Sequence, residues 1–229
     1  MTHGVVRRLG LALALATIVT PAATLRAQTD GTCIPVAERA GRIYGCFITA
    51  RTELGRLPSQ PALYWHLDTF PTRAAAEAEV IRAAHTTARA TVVASLGRIW
   101  LFTIAPADWH PDAGTRVARI GPLPLIEADS FAAVYMEGVF EPGMQTVVHR
   151  HPGVEAWYTL EGSMCLETPE GTLTQRAGDR GVLVPGGVPM VLTGTGTVPR
   201  RSVVLILQDA TRPRSSPATD WTPRQLCRK

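Results

Sequence analysis

Lysine is almost absent from this sequence. Of the 229 residues only the last, Lys229, is a lysine, and arginine supplies the rest of the positive charge. The arginines are interspersed with acidic residues and form no basic stripe of the kind that follows a nucleic-acid backbone. The sequence therefore argues against nucleic-acid binding, and we expect no nucleic acid among the partners.

Long apolar runs are also scarce. The run near the N-terminus, Leu9–Val19, follows Arg7 and Arg8 and precedes a small residue at Ala27. This arrangement is typical of a secretory signal peptide, and the run is too short to cross a bilayer as a stable helix. We expect residues 1–27 to be cleaved, with an uncleaved anchor as the alternative, and the mature protein to be periplasmic or secreted with no membrane partner. Because these residues contain three arginines and no acid, cleavage lowers the formal charge from +4 to +1.

Several common catalytic motifs are missing as well. The sequence has no Ser-His-Asp arrangement, no phosphate-binding loop and no dinucleotide-binding fingerprint. Its composition, with 45% hydrophobic and 18% charged residues, is that of an ordinary globular protein. Any chemistry must therefore come from a different kind of site.

The four cysteines are Cys33, Cys46, Cys165 and Cys227. An even number in an exported chain predicts disulfides, and the spacings do not resemble a zinc site. Three pairings are possible. We favour a local Cys33–Cys46 link together with a Cys165–Cys227 link that ties down the C-terminal tail; one disulfide and two buried thiols is the alternative.

The first part of the mature chain, residues 28–112, reads as a small α+β unit. An alanine-rich run predicts a helix with Thr72 as its cap, and alternating apolar and polar residues predict strands on either side of it. The predicted elements are strands Tyr44–Thr52 and Leu63–Asp68, the helix Pro71–Ala84, and a hairpin of Thr91–Leu96 and Ile99–Ile104. From Thr115 onward the chain is strand-like almost throughout.

Two histidines and a glutamate stand close together in the second half of the chain. His149 and His151 are two residues apart, and side chains at that spacing in an extended segment share a face. Gly153 allows the chain to bend, so that Glu155 reaches the same pocket. Two imidazoles and one carboxylate that converge can hold a divalent metal and leave coordination positions open.

The frame around these residues resembles the first signature of the cupin superfamily. From Gly143 to Gly162 it reads Gly-x5-His-x-His-x3-Glu-x6-Gly, and a segment similar to the second signature runs from Gly178 to Met190. The second segment departs in two ways: it has one extra residue before Pro185, and Met190 stands where the family usually has its fourth metal ligand.

The resemblance implies a mainly β fold, a cupin double-stranded β-helix or jelly-roll barrel with an N-terminal α+β extension. It covers residues 115–210. We therefore expect a barrel at residues 113–210 behind the α+β unit at 28–112, followed by a tail at 211–229. A degenerate first barrel in the N-terminal half is the alternative, although that half has no His-x-His pair.

The resemblance also implies a site. His149, His151 and Glu155 would hold a divalent metal, which we expect to be iron, manganese or zinc, with Gln145, Tyr158 and Met190 lining the pocket. The partner would be a small organic molecule, with a homodimer suggested by the family's frequent dimers. Cupin activities include those of oxygenases, isomerases and decarboxylases. The alternative is a metal-free binding or sensing protein whose fourth ligand is lost to Met190, a soft thioether that favours only copper(I).

Overall fold

The computed structural model describes Met1 and residues 33–228. The predicted signal peptide at residues 1–27 lies outside this part apart from Met1, as does Lys229. Among the described residues, no helix is long and apolar enough to cross a membrane.

The described chain is built mainly from strands. In chain order they are β1 (Ile34–Pro35), β2 (Gly45–Gly55), β3 (Leu63–Phe70), β4 (Arg89–Ser95), β5 (Arg98–Pro106), β6 (Thr115–Ile120), β7 (Phe131–Phe140), β8 (His149–Arg150), β9 (Val154–Glu161), β10 (Ser163–Thr168), β11 (Gly171–Arg176), β12 (Val182–Val184), β13 (Val191–Thr195), β14 (Arg200–Asp209) and β15 (Ser216–Pro217). The helices are a short 3-10 turn, Val36–Glu38, and α1, Arg73–Ala83.

The strands form three larger sheets and one short pair. The central sheet has the order β1-β2-β7-β14-β9-β12, a second sheet has the order β11-β10-β13, and a third has the order β4-β5-β3-β6. Strands β8 and β15 pair with each other. The predicted jelly roll is thus a sandwich of a six-stranded and a three-stranded sheet.

The central sheet is buried on both faces. Its inner face packs against the three-stranded sheet through a core that includes Trp157 and Met164. Its outer face packs against the four-stranded sheet through a core that includes Trp65, Phe102 and Leu205. Every residue of β7 is buried as a result, which explains why that strand reads as one apolar run rather than an alternating one.

Helix α1 covers the far side of the four-stranded sheet. It packs there through Ala76 against Phe70 and Leu101. The Thr72 hydroxyl accepts a hydrogen bond from the backbone N–H of Ala75 at 3.2 Å, which satisfies one of the free donors at the helix start. The predicted cap and the predicted helix are therefore confirmed.

Two strands join sheets other than those expected. The sequence places β6 with the barrel, but β6 pairs with β3 in the four-stranded sheet. Conversely, β2 belongs by sequence to the N-terminal unit, but it pairs with β7 and extends the central sheet. Local pattern identifies a strand, whereas packing between distant segments decides its neighbours. The N-terminal unit consequently supports the outer wall of the sandwich.

Both favoured disulfides are present. Cys33 bonds to Cys46, and Cys165 bonds to Cys227. The second link fixes the tail against β10, where the backbone N–H of Leu226 also donates to the Glu167 carboxylate at 3.0 Å. Two disulfides fit an oxidising, extracytoplasmic environment.

Candidate metal centre

The two histidines of the first signature are held directly by the second signature. The backbone N–H of His149 donates to the Met190 carbonyl at 3.1 Å, and the N–H of Met190 donates back to the His149 carbonyl at 2.8 Å. The carbonyl of His151 accepts a hydrogen bond from the N–H of Gly187 at 2.8 Å. The two signatures, far apart in sequence, therefore fix one another's backbone at the site.

A tight turn brings Glu155 to the histidines. After His151 the chain passes through Pro152 and Gly153 into β9, which carries Glu155 near its start. A Cβ atom at Gly153 would lie 2.0 Å from the carbonyl oxygen of Leu207 on the neighbouring strand, a distance that no side chain tolerates. The glycine predicted to permit the bend is thus required by the close approach of two backbones.

His149, His151 and Glu155 form a compact buried cluster. One ligand atom from each residue lies within 4.8 Å of the others. The His151 Nε2 atom is 3.5 Å from Glu155 Oε2, and the two imidazole centroids are 4.9 Å apart. The three side chains predicted from their spacing are therefore together, and all three are buried.

Hydrogen bonds fix the orientation of both imidazole rings. His149 Nδ1 lies 2.9 Å from the Val147 carbonyl, and His151 Nδ1 lies 2.7 Å from the Arg214 carbonyl. A carbonyl can only accept, so each Nδ1 carries the proton and each Nε2 is left with its lone pair. Glu155 Oε2 is buried without a hydrogen-bond partner among the described residues. Two oriented imidazoles and a free carboxylate oxygen fit the donor set of a divalent metal.

The electrostatics keep His149 neutral and Glu155 ionised. Burial lowers the pKa of His149, and the neighbouring His151 lowers it further, so this ring is neutral at pH 7. Burial also acts to lower the pKa of His151, but the negative charge of Glu155, whose Oε2 lies 3.5 Å from Nε2, outweighs it and raises the pKa above its usual value. Burial raises the pKa of Glu155, but His151 and His149 more than offset this, and the pKa ends below its usual value. Glu155 is therefore ionised.

The cluster opens into a small cavity of about 60 Å³. The wall is mainly apolar, with contributions from Met136, Phe140, Leu192, Val204 and the Cys33–Cys46 disulfide. Two arginines, Arg200 and Arg214, also line it. Neither arginine is marked by the sequence; the only signal is that Arg200 shares strand parity with Val204, which helps only once the inner face of β14 is known.

Comparison with known proteins finds similarity only to solved structures, and only over part of the chain. No family model matches the sequence, and no curated protein matches it either. A cupin superfamily protein of Desulfitobacterium hafniense aligns with 34% of this chain and 68% of its own, at 16% identity and a TM-score of 0.31. A cupin domain of Bordetella pertussis Tohama I aligns with 33% of this chain and 81% of its own, at 29% identity and a TM-score of 0.29.

The polyketide cyclase RemF of Streptomyces resistomycificus aligns with 35% of this chain and 62% of its own, at 24% identity and a TM-score of 0.30. These likenesses cover about a third of this chain, so the fold is judged on its own strands and signatures. The double-sheet region is the mainly β sandwich that the two cupin-like signatures predict. The four-stranded sheet and α1 are additional to this sandwich and cover its outer face.

Two of the predicted pocket residues lie elsewhere in the cupin sandwich. Gln145 is buried, but its amide donates to the Thr193 hydroxyl at 2.8 Å and its carbonyl accepts from Arg228 at 2.6 Å, beside a groove on the three-stranded sheet. The backbone pairs Gln145–Thr193 and His149–Met190 are separated by four residues on one segment and three on the other. This irregularity removes the shared parity on which the prediction for Gln145 rested.

Met190 is the second of these residues. Its thioether packs in the inner core with Trp157 and Met164 and is not on the wall of the histidine cavity. The position of the usual fourth cupin ligand is therefore occupied by a core side chain, and three donors converge in the described part of the chain.

The third predicted pocket residue, Tyr158, and the neighbouring Arg150 both follow strand alternation. Tyr158 is an odd number of positions from Glu155, so it faces the outer core instead of the cavity. Arg150 lies between the two histidines in sequence, so alternation turns it away from them, and it pairs with Asp220. Alternation thus decides which side chains of the cupin signature reach the cavity.

Proposed function

We propose that this chain is an exported cupin-fold protein that holds a divalent metal through His149, His151 and Glu155 and binds a small organic molecule at the positions left open. One observation carries the proposal: both imidazoles are oriented by backbone carbonyls so that their Nε2 atoms face a buried carboxylate. Histidines that ligate a metal through one ring nitrogen typically donate the N–H of the other to a carbonyl or carboxylate in this way.

The donor set suits iron, manganese or zinc. Copper(I) would be favoured by a thioether ligand, but Met190 packs in the core, so copper is not expected. A bound metal would supply Lewis acidity toward a carbonyl or carboxylate, or, in the case of iron, reactivity toward dioxygen. Iron would therefore favour an oxygenase, whereas manganese or zinc would favour an isomerase or decarboxylase.

The residues of the site have distinct roles. The Nδ1–H groups of His149 and His151 hold the rings in place through their carbonyl partners, so little reorganisation is needed on ligation. Glu155 provides the negative charge. The apolar wall keeps most water away, which strengthens every electrostatic interaction inside the cavity.

We also infer that the protein works in the periplasm or outside the cell. The apolar N-terminal run with its paired arginines supports export. The two disulfides support it independently, because such links persist in oxidising compartments.

The test is the metal content of the mature protein, purified without a histidine tag. We expect near-stoichiometric metal in the native protein and very little in the His149→Ala/His151→Ala variant. His110→Ala removes an exposed histidine outside the cluster and is the matched control, which should keep the metal. Absence of metal after incubation with divalent iron, manganese and zinc would contradict the proposal.

A metal-free binding protein is the second candidate, favoured by the position of Met190. With its side chain in the core, the site has three donors instead of four. Met190→His distinguishes the two: a large gain in metal affinity would mean that the native site is a poor metal site. Small molecules that raise the melting temperature of the metal-free protein would then identify its ligand.

A further inference from the structure

Arg200 is a buried charge without a hydrogen-bonding partner. It begins β14, its relative exposure is 2%, and its guanidinium makes no hydrogen bond or ion pair among the described residues. A guanidinium has five N–H donors, and burying it without partners is strongly unfavourable. Something outside the described chain is therefore expected to satisfy this side chain.

The guanidinium belongs to the cavity of the histidine cluster. Arg200 lines that cavity together with His149, His151 and Glu155. Burial lowers the pKa of Arg200 to about 9, and the charge of Glu155 opposes this change. Arg200 therefore remains a cation at neutral pH, on the same cavity as the proposed metal ligands.

The backbone makes room for this side chain. A Cβ atom at Gly138, on the neighbouring strand β7, would lie 3.1 Å from Arg200 Nη1. The aromatic rings of Phe140 and Trp157 lie 5.7 and 6.0 Å from the guanidinium carbon. A ring face attracts a cation, but it does not replace the hydrogen-bond acceptors that the guanidinium N–H groups need. The position is thus shaped for a guanidinium whose donors remain free.

A second arginine gives the cavity an excess of positive charge. Arg214 also lines it; its Nε is buried without a partner, and its Nη2 makes one long hydrogen bond, 3.4 Å, to the Cys33 carbonyl. Glu155 and the two arginines together leave a formal charge of +1. Ligation of a divalent metal would raise it further, so the cavity favours an anion.

The volume of the cavity and the apolar character of its wall limit which anions fit. At about 10–15 Å³ for each water-sized group, a volume of about 60 Å³ accommodates roughly four to six non-hydrogen atoms. The apolar side chains of Met136, Leu192 and Val204 suit a short carbon stem better than a fully hydrated inorganic ion. A planar carboxylate also matches the two parallel donors of a guanidinium.

We propose that the ligand of this site is a carboxylate of two or three carbons, whose carboxylate group is held by the buried guanidinium of Arg200 beside the His149, His151 and Glu155 cluster. The inference rests on the proposed function, because the ligand would occupy the cavity onto which the open metal positions face. Arg200 acts in it as a binding residue for the substrate.

The experiment is a titration of the protein with acetate, oxalate and propionate, at constant ionic strength, by calorimetry and by melting temperature. Phosphate and sulfate serve as comparison anions. We expect at least one carboxylate to bind and stabilise the native protein, and Arg200→Gln to weaken that binding about tenfold or more. Arg201→Gln is the matched control, because the side chain of Arg201 is 45% exposed beside Glu161; it should leave binding unchanged.

Two further variants separate recognition from folding. Arg200→Lys keeps the charge but loses the paired donors, and we expect intermediate binding. Gly138→Ala leaves Arg200 in place but crowds its Nη1, and we expect weaker binding in a protein that still melts cooperatively. Carboxylate binding that is equal in native protein and Arg200→Gln, or absent from both, overturns the proposal. Equal binding of phosphate and sulfate overturns the carboxylate class.

All titrations are made on both metal-free and metal-loaded protein. If no metal binds, the proposed metal function fails, yet Arg200-dependent carboxylate binding in the metal-free protein still supports the ligand class. If metal binds but carboxylates do not, the ligand class fails and the metal centre stands. The two outcomes are therefore distinct.

Discussion

The two disulfides should contribute unequally to stability. They close loops of very different length, because the paired cysteines are separated by 13 positions for Cys33–Cys46 and by 62 positions for Cys165–Cys227. In the chain-entropy description, a crosslink removes about 2.1 + 1.5R ln n cal/mol/K from the unfolded chain, where n is the loop length. At 25 °C this is about 3 kcal/mol for the short loop and about 4 kcal/mol for the long one.

Contacts of the folded tail should preserve this order. Once Cys165–Cys227 is removed, the tail keeps the hydrogen bonds of Leu226 to Glu167 and of Arg228 to Gln145. Both bonds are part-buried and persist in the double variant, so they do not add to the stability that is lost with the disulfide. The unfolded-state entropy therefore remains the larger contribution.

The assay is guanidinium denaturation of two double variants, Cys33→Ala/Cys46→Ala and Cys165→Ala/Cys227→Ala, beside the native protein. We expect the free energy of unfolding to fall more for the second variant, by a margin of about 1.4 kcal/mol. The slope of the free energy of unfolding against denaturant concentration should also be compared between each variant and the native protein. Loss of a crosslink gives a more expanded unfolded state, which makes this slope steeper. An equal or reversed order of stabilities would refute the reasoning from loop length.

Two further predictions concern buried residues of the scaffold. Burial, aided by the charge of Arg116, lowers the pKa of His66 to about 4, so between pH 4 and 6.5 the unfolded chain binds more protons than the folded one. The free energy of unfolding should therefore rise with pH across that window, by at most about 3 kcal/mol. Denaturation at several pH values should show a smaller rise for His66→Gln than for the native protein. If the free energy of unfolding depends on pH equally in both, His66 is not the cause. Gly153→Ala places a Cβ atom 2.0 Å from the Leu207 carbonyl oxygen. We therefore expect the free energy of unfolding to fall by about 1–3 kcal/mol and the mature protein to retain metal less well. Unchanged metal retention would show that this turn does not position Glu155.

Local features of the fold were predictable because their causes are local. The cap at Thr72 depends on a hydroxyl three residues before the N–H that it accepts from. The hairpin of β4 and β5 turns at Gly97, whose φ of +76° suits glycine. Sequence pattern alone identifies both, and the structure confirms both within two or three residues of the predicted bounds.

The histidine–glutamate cluster was predictable for the same reason. His149 and His151 share a face by simple alternation, and Glu155 follows across one turn. Gln145 failed the same rule because an irregular pairing with the opposite segment lies between it and His149. Alternation is reliable over a few residues of regular strand and is lost at the first irregularity.

The cavity arginine was hidden for a different reason. The central sheet is buried on both faces, so β14 reads as a continuous apolar run after Arg200 and Arg201 and does not reveal its inner side. The two arginines are adjacent, yet one faces the cavity and the other pairs with Glu161 near solvent. Which of the two arginines faces the cavity is evident only once the inner and outer faces of the central sheet are known.

The position of Arg200 also couples the proposed carboxylate site to the proposed metal site. Arg200 and Glu155 line the same cavity and both side chains are buried, and Glu155 is the carboxylate whose charge acts on the guanidinium. If the Glu155 oxygen is taken up by metal ligation, its charge no longer offsets that of Arg200, and the cavity becomes more cationic. A carboxylate ligand restores the balance, and it does so in a site of low polarity where such charges interact strongly. Metal and carboxylate should therefore favour each other's binding, and by linkage each must raise the affinity of the other by the same factor. Tighter carboxylate binding by metal-loaded than by metal-free protein is the outcome that this balance of charges requires.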